Sequence, residues 1–245
     1  MIKFFRKIRQ NLISENKFSK YLIYAIGEII LVVIGILIAL SINSWNQGRI
    51  DKKSEYKYLK DIKKEIQNNN YILDFYIKNR LPNKIEGLLS AKKYSEENIE
   101  IKDTIAFLNT VTKGGMITNG LGILSRNTYN ELLSTGNFQL VSKDSIKIKV
   151  KNYYWGLDAD DSNVKTYKSD ITKFTTGLRP YNSSNPEYIS KYDSEEMMVA
   201  FRSVEFRKII DRELSYAYSL KNKIDGLIEE GLEIIELINT ELKEK

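Results

Sequence analysis

The residues that come nearest to a known chemistry are Asp158, Asp160 and Ser162, which alternate as the first three ligands of a calcium loop do. The pattern then departs. Asn163 stands where glycine makes the turn and Ser169 where a bidentate glutamate closes the shell, so the segment reads as a solvated acidic helix turn. The run KGGMITNGLG from Lys113 carries four glycines, but a phosphate cradle would end in Gly-Lys-Ser/Thr and follow a strand. Neither is present, which leaves a helix connection. The 245 residues contain no cysteine and no histidine, so disulfides, thiolate or imidazole metal sites and Ser-His or Cys-His nucleophiles are excluded. Lysine and carboxylate catalysis remain chemically available. The acids, however, mostly alternate with lysines along helix faces, as solvated ion pairs do. The sequence therefore assigns no catalytic, cofactor-binding or metal-ligating residue, calls for no cofactor, and points away from an enzyme.

Three prolines and 13 glycines are too few for a loop-rich sandwich or barrel, so long helices are expected to position whatever the chain presents. The first element is explicit. Tyr21 to Ile42 reads YLIYAIGEIILVVIGILIALSI, 22 residues with one charge. At about 1.5 Å per residue it reaches about 33 Å, enough to cross a hydrocarbon core. A cleaved signal peptide would be shorter and end at small residues, whereas Asn43, Ser44 and Trp45 follow here, so an uncleaved anchor is expected. Tyr21 and Tyr24 at one boundary and Trp45 at the other suit amphipathic rings at headgroup depth.

The formal net charge is +6, and its placement matters more than its size. Lys3, Arg6, Lys7, Arg9, Lys17 and Lys20 face only Glu15 in the first twenty residues, and the body after the span is nearly neutral. Such a body lacks the broad basic face that nucleic-acid binding requires. The segment after the span also carries Arg49, Lys52, Lys53, Lys57 and Lys60, which weakens the asymmetry. Long domains translocate largely regardless of their charge, so the expected orientation keeps the N-terminus in the cytoplasm. In a Gram-negative inner membrane the main domain would then be periplasmic, where lacking cysteine avoids unwanted disulfides.

Glu28 lies about 10 Å inside the span, where an ionised carboxylate is costly unless protonated, paired or hydrated. On a helix, Gly35 and Ala39 fall about 20° to either side of it. Two readings fit this stripe. In one, Gly35 and Ala39 allow close helix approach and Glu28 hydrogen-bonds a partner helix; in the other, Glu28 is protonated or reaches the interface and the small residues are incidental. A sharper version of the first makes Glu28 an ion-pathway carboxylate.

Beyond the span, Asp51 to Leu81 has no glycine or proline, and Leu59, Ile62, Ile66, Leu73 and Tyr76 keep a three-four spacing. Asn69 interrupts that stripe, and Pro82 is expected to end the helix. Short helices are expected near Lys84–Ser90 and Lys102–Thr112, and another over Arg126–Ser134 with Gly136 as a left-handed stop. Ser142 to Ser145 would cap a following helix, although alternation at Ile146, Ile148 and Val150 also suits a strand. Gly177, Pro180 and Pro186 mark a loop, and Asp193 with Glu196 resembles a capping box. Ala217, Leu220, Ile224, Leu227, Gly231, Ile234 and Ile238 make the apolar face of a long last helix, widened by Ile228, Ile235 and Leu242. The expected fold is thus all-α: a basic tail over 1–20, a transmembrane helix over 21–42, and a helical-bundle soluble domain over 46–245 with long first and last helices.

The opening, FFRKIRQNLISENKFSKYLIYAIGEIILVVIGILIALSINSWN, closely resembles a bacterial family of single-pass membrane proteins known as a domain of unknown function. TYNELLSTGNF at Thr128 to Phe138, the Tyr153-Tyr154 pair and EFRKIIDREL at Glu205 to Leu214 extend the likeness over most of the chain. The resemblance implies an integral membrane protein with a mainly helical domain and implies no activity. The expected partners are the lipid bilayer and a protein, or a second copy of the chain, met through the transmembrane helix. Two functional readings follow: a membrane-anchored scaffold or interaction module, and a ligand-sensing bundle that acts through a separate transducer because its tail is too short for an output domain.

Overall fold

The structure, a computed structural model, describes residues 18–117, 124–167, 169–175 and 191–244. The basic tail to residue 17, Gly120 and Gly122, and the loop with Gly177, Pro180 and Pro186 lie outside the described residues, as do the side chains of Lys20, Tyr21, Asn163 and Asp193. The chain divides into two compact units, one ending at Glu55 and one running Tyr56–Lys245.

The described part of the first unit belongs to helix α1, Phe18–Phe75. Its most apolar 18-residue window has a mean hydropathy of 2.8, and 0% of it is buried. A core helix of a soluble domain covers such a surface; this one leaves Leu22, Ile29, Leu31, Leu37 and Ile42 exposed. One helix is therefore long and apolar enough to cross a membrane.

The second unit is all-α, with no strand among the described residues. Along the last part of α1 and into the turn after it, Leu59, Ile62, Ile66, Asn69, Leu73 and Tyr76 are buried and alternate three and four residues apart, with Glu65 and Asn70 buried beside them. Pro82 does not end this run. Tyr76–Arg80 widens into a π turn, the Leu81 N–H reaches back to the Tyr76 carbonyl, and α2, Leu81–Glu96, begins with the proline in its first turn. The wider turn relieves the clash between a proline ring and the preceding turn, and proline at a helix start gives up an N–H that needs no helical partner. The side-chain amides of Asn79 and Asn83 donate to the carbonyls of Phe75 (3.2 Å) and Asn79 (2.8 Å) around this junction. The helix expected over Lys84–Ser90 is correspondingly longer at both ends.

Asp103 caps α3, Thr104–Thr112, by accepting from the Ala106 N–H at 2.9 Å. A 3₁₀ turn, Lys113–Gly115, follows. Then come α4, Asn127–Ser134, Gly136 in the left-handed region at φ 72°, and a second 3₁₀ turn, Asn137–Leu140. The segment Asp144–Thr166 is helix α5, which rejects the strand alternative: Ile146 and Val150 are buried while Ile148 is exposed, the period of a helix. After α6, Ile171–Thr175, α7 runs Lys191–Ala200, so Asp193 lies inside that helix rather than at its cap.

The last helix, α8, spans Val204–Glu244 and is the spine of the bundle. Phe206, Ile210, Glu213, Ala217, Leu220, Ile224, Leu227, Gly231, Ile234, Ile238 and Glu241 are all buried and alternate four and three residues apart along it. Two hydrophobic cores share this seam. The N-terminal half of α8 packs with α2, α3 and α7 around Leu88, Leu108, Met197 and Phe201. Its C-terminal half packs with α1 and α5 around Ile62, Ile66, Val150 and Leu157.

Candidate functional site

Each core contains a buried polar hub centred on a glutamate. In the α1–α5 core the hub is Glu65, which is 6% exposed. Its carboxylate sits at the N-terminus of α4, where it accepts from the Thr128 N–H at 2.8 Å and the Tyr129 N–H at 3.4 Å. It also accepts from the Ser125 hydroxyl at 2.8 Å and the Tyr154 hydroxyl at 2.5 Å. A helix N-terminus leaves its first N–H groups without helical partners and favours negative charge, so a carboxylate from α1 caps α4. Burial pushes the Glu65 carboxyl up, but the hydrogen bonds from Tyr154, Thr128, Ser125 and Tyr129 together hold it below the usual carboxylate range. Tyr154 is pushed up by burial and by its bond to Glu65.

Asn69 serves the same connection. Its Nδ2 donates to the Ser125 carbonyl at 2.8 Å and its Oδ1 accepts from the Ser125 N–H at 2.7 Å. The residue that interrupts the apolar stripe is therefore a buried side chain with both ends of its amide used. Tyr129 stacks on Tyr154 at 4.3 Å and meets Phe138 edge-on at 5.7 Å. The TYNELLSTGNF segment and the tyrosine pair, far apart in sequence, thus meet at one carboxylate.

Beside this hub lies a cleft of about 300 Å³ with Lys57, Asp61, Lys64 and Asn68 of α1 on one side and Asn127 and Glu131 on the other. Its rim carries both signs of charge. Glu65 contributes to the wall, and its oxygens are engaged by four donors, an arrangement that clamps elements of the bundle.

The second hub joins α2 to α8. Lys84 Nζ donates to Glu213 Oε1 at 2.8 Å and to the Gly114 carbonyl at 2.6 Å, and both charged side chains are 0% exposed. The Ser169 hydroxyl donates to Glu213 Oε1 at 2.9 Å and the Tyr167 hydroxyl to Oε2 at 3.0 Å. Burial pulls the Lys84 ammonium down, against the pull of Glu213. Burial and the Glu213 charge push the Tyr167 hydroxyl up to about 12. Tyr167 stacks on Tyr216 at 3.8 Å, closing the hub from one side.

Asp158 forms an ion pair with Arg126, and Asp160 binds Lys223 at 2.9 Å, so the acids of the calcium-like spacing lie between cations. Among the described residues no three acidic side chains converge as a metal site. In the first unit the helix phase places Glu28, Gly35 and Ala39 along one side of α1, with nothing within 4 Å of a Cβ built on Gly35. Tyr24 and Trp45 are exposed.

Thr128, Tyr129, Tyr154 and Glu213 lie in the segments that carry the resemblance, whereas Glu65 and Lys84 lie in none of them. One signal was available: Asn69 and Glu213 are polar groups at positions of a three-four apolar seam, where a residue is buried whatever its type.

These features define an all-α protein with one exposed apolar helix and a helical bundle fastened by two buried carboxylate hubs. The profile of DUF6090, a family of unknown function, matches residues 28–166, and the chain belongs to that family. The matched stretch includes Glu28, the Glu65 hub and the mixed-charge cleft, and ends before Glu213. No curated protein and no solved structure matches the chain.

Proposed function

We propose that this protein is a membrane-anchored helical interaction module, with α1 crossing the bilayer, its N-terminus in the cytoplasm and the bundle on the far, periplasmic side. The observation that carries the reading is the 18-residue apolar window of α1, none of whose residues is buried, since lipid is the solvent such a surface requires. The bundle supports it by what its ionised groups do: Glu65, Lys84 and Glu213 are engaged by neighbours in the fold, as clamps are. Within the span, Glu28, Gly35 and Ala39 form the face that meets a partner helix, from a second copy or another protein, with the small residues allowing close approach.

The absence of native cysteine makes the test direct. Single cysteines replacing Gly35 or Ala39 should crosslink in membranes, and one replacing Leu37, about 180° from Glu28, should not. Gly35→Leu and Glu28→Leu should weaken the captured complex. Release of the full chain by alkaline carbonate would reject the anchor, and equal crosslinking from both faces would reject the contact.

A second reading, a sensor acting through a separate transducer, is favoured by the 300 Å³ mixed-charge cleft between α1 and α4. Ligand-dependent thermal stabilisation of the full chain, lost with Lys64→Ala and Glu131→Ala, would select it.

A further inference from the structure

We infer that the segment of α1 from Trp45 to Lys53 grips the phosphate headgroups of anionic lipids where the helix leaves the bilayer, an inference that rests on the membrane reading above. The observation is the separation of charge around this stretch of helix, which the first unit alone contains. Taking Trp45 as the origin at about 100° per residue, Arg49 falls near 40°, Lys52 near −20° and Lys53 near 80°. Asp51 in this stretch and Glu55 just beyond it fall near 240° and 280°, outside that sector.

The local bonding keeps the two groups apart. Gln47 Nε2 donates to Asp51 Oδ1 at 2.8 Å on the acidic side. Arg49 leans only on the neutral Asn46 amide, Nη2 to Oδ1 at 3.4 Å. Lys52 and Lys53 are exposed and have no ion-pair partner among the described residues. Elsewhere lysines spaced four from an acid do pair with it, as Lys78 with Asp74 and Lys221 with Asp225. The cations of this sector thus face outward with no protein anion to neutralise them.

Depth decides what does neutralise them. Trp45, 71% exposed, lies three residues beyond Ile42, at the boundary where an indole ring sits between hydrocarbon and headgroups. Arg49 is about 6 Å further along the axis and Lys53 about 12 Å. The headgroup layer is about 5–7 Å deep and the field of an anionic surface reaches about another 10 Å at moderate salt. All three cations lie within that range on the side where Trp45 marks the interface, so lipid phosphate is the nearest dense anion. The inference holds for whichever leaflet the helix exits through.

The test uses the full chain carrying Trp155→Phe, which leaves Trp45 as the only tryptophan because the sequence has two. The protein is reconstituted into vesicles of phosphatidylcholine and phosphatidylglycerol in which one lipid or the other is brominated near the headgroup end of its chains. Bromine quenches an indole beside it, so the ratio of quenching by the two lipids reports which headgroup surrounds Trp45. The expected result is at least a threefold preference for the anionic lipid, falling towards unity with Arg49→Gln, Lys52→Gln and Lys53→Gln combined, and falling also at high salt. A chain that floats with the vesicles but is quenched equally by both lipids overturns this inference alone, as does a preference unchanged in the triple variant. A chain that neither floats nor is quenched overturns the membrane anchor and the inference with it.

Discussion

Lys84 and Glu213 are 129 residues apart in sequence, yet form an ion pair of 2.8 Å with both side chains fully buried. The pair lies between α2 and the N-terminal half of α8, and the Gly114 carbonyl and the Tyr167 and Ser169 hydroxyls satisfy the remaining polar atoms. Its value is asymmetric. Removing one charge leaves the other uncompensated in the core, which costs about 3–5 kcal/mol, whereas removing both is far milder. Glu213→Gln and Lys84→Met should each destabilise the bundle by an amount in that range, and the double variant should be no worse than the poorer single one. Urea unfolding of the detergent-solubilised chain, followed by circular dichroism, measures all four corners of this cycle. Additive losses would show that the two residues act independently.

The Glu65 hub makes stability depend on acid. Its carboxyl titrates below the usual range in the folded chain, because four donors favour the ionised form despite burial. Between the folded and unfolded values the unfolded chain binds more protons, so stability rises with pH across that interval and is lost as pH falls through it. The contribution is complete above about pH 5. Glu65→Gln should be less stable than the parent at pH 7 and approach it near pH 3, since the amide presents a donor to N–H groups that need an acceptor. A constant difference at both pH values would mean that the carboxylate charge has no role.

Gly87 and Gly226 are both helical glycines, with opposite consequences. A Cβ on Gly87 would lie 2.5 Å from the Thr110 carbonyl oxygen and 2.7 Å from the Gly114 nitrogen, both backbone atoms that cannot step aside. One on Gly226 meets nothing within 4 Å. Gly87→Ala should therefore destabilise by about 2–3 kcal/mol by forcing α2 away from α3 and the turn after it. Gly226→Ala should stabilise by about 0.5–1 kcal/mol through helix propensity. Thermal unfolding of the two variants side by side reads the difference in sign.

What could be read from the sequence followed from periodicity. The exposed apolar helix, the seam of α8 and the left-handed Gly136 are local patterns that the sequence predicts and the structure contains. Pro82 does not end the helical run because a proline removes one hydrogen bond but does not dictate how the chain recovers, and here a π turn with the side chains of Asn79 and Asn83 accommodates it. The alternation at Ile146, Ile148 and Val150 was too short to separate a period of 2.0 from 3.6. The hubs were invisible for a different reason. Glu65 acquires its meaning from Ser125, Thr128 and Tyr154, 60 to 89 residues away, and no spacing along the chain encodes that meeting. Asn69 interrupts the apolar stripe in type but not in position, and its place in the seam marks it as buried.

The α1–α8 crossing offers the most specific prediction. Asn70 Nδ2 donates to the Ile228 carbonyl at 3.1 Å, and a Cβ built on Gly231 would lie 2.5 Å from Asn70 Oδ1 and 2.7 Å from Nδ2. The glycine is thus the space the asparagine occupies. Gly231→Ala gains about 1 kcal/mol of helix propensity but must displace a short, buried amide with little room to move, forfeiting its hydrogen bond and straining the crossing. The loss should win by about 1–2 kcal/mol. Asn70→Ala alone should cost about 1 kcal/mol by emptying the site and leaving the carbonyl bare. With Asn70→Ala in place, Gly231→Ala no longer meets an amide and its propensity gain is recovered, so the double variant should be more stable than either single one. The coupling should be at least about 1.5 kcal/mol, well beyond the additivity of independent sites. A double variant whose loss equals the sum of the single losses would show that the two side chains do not share this space.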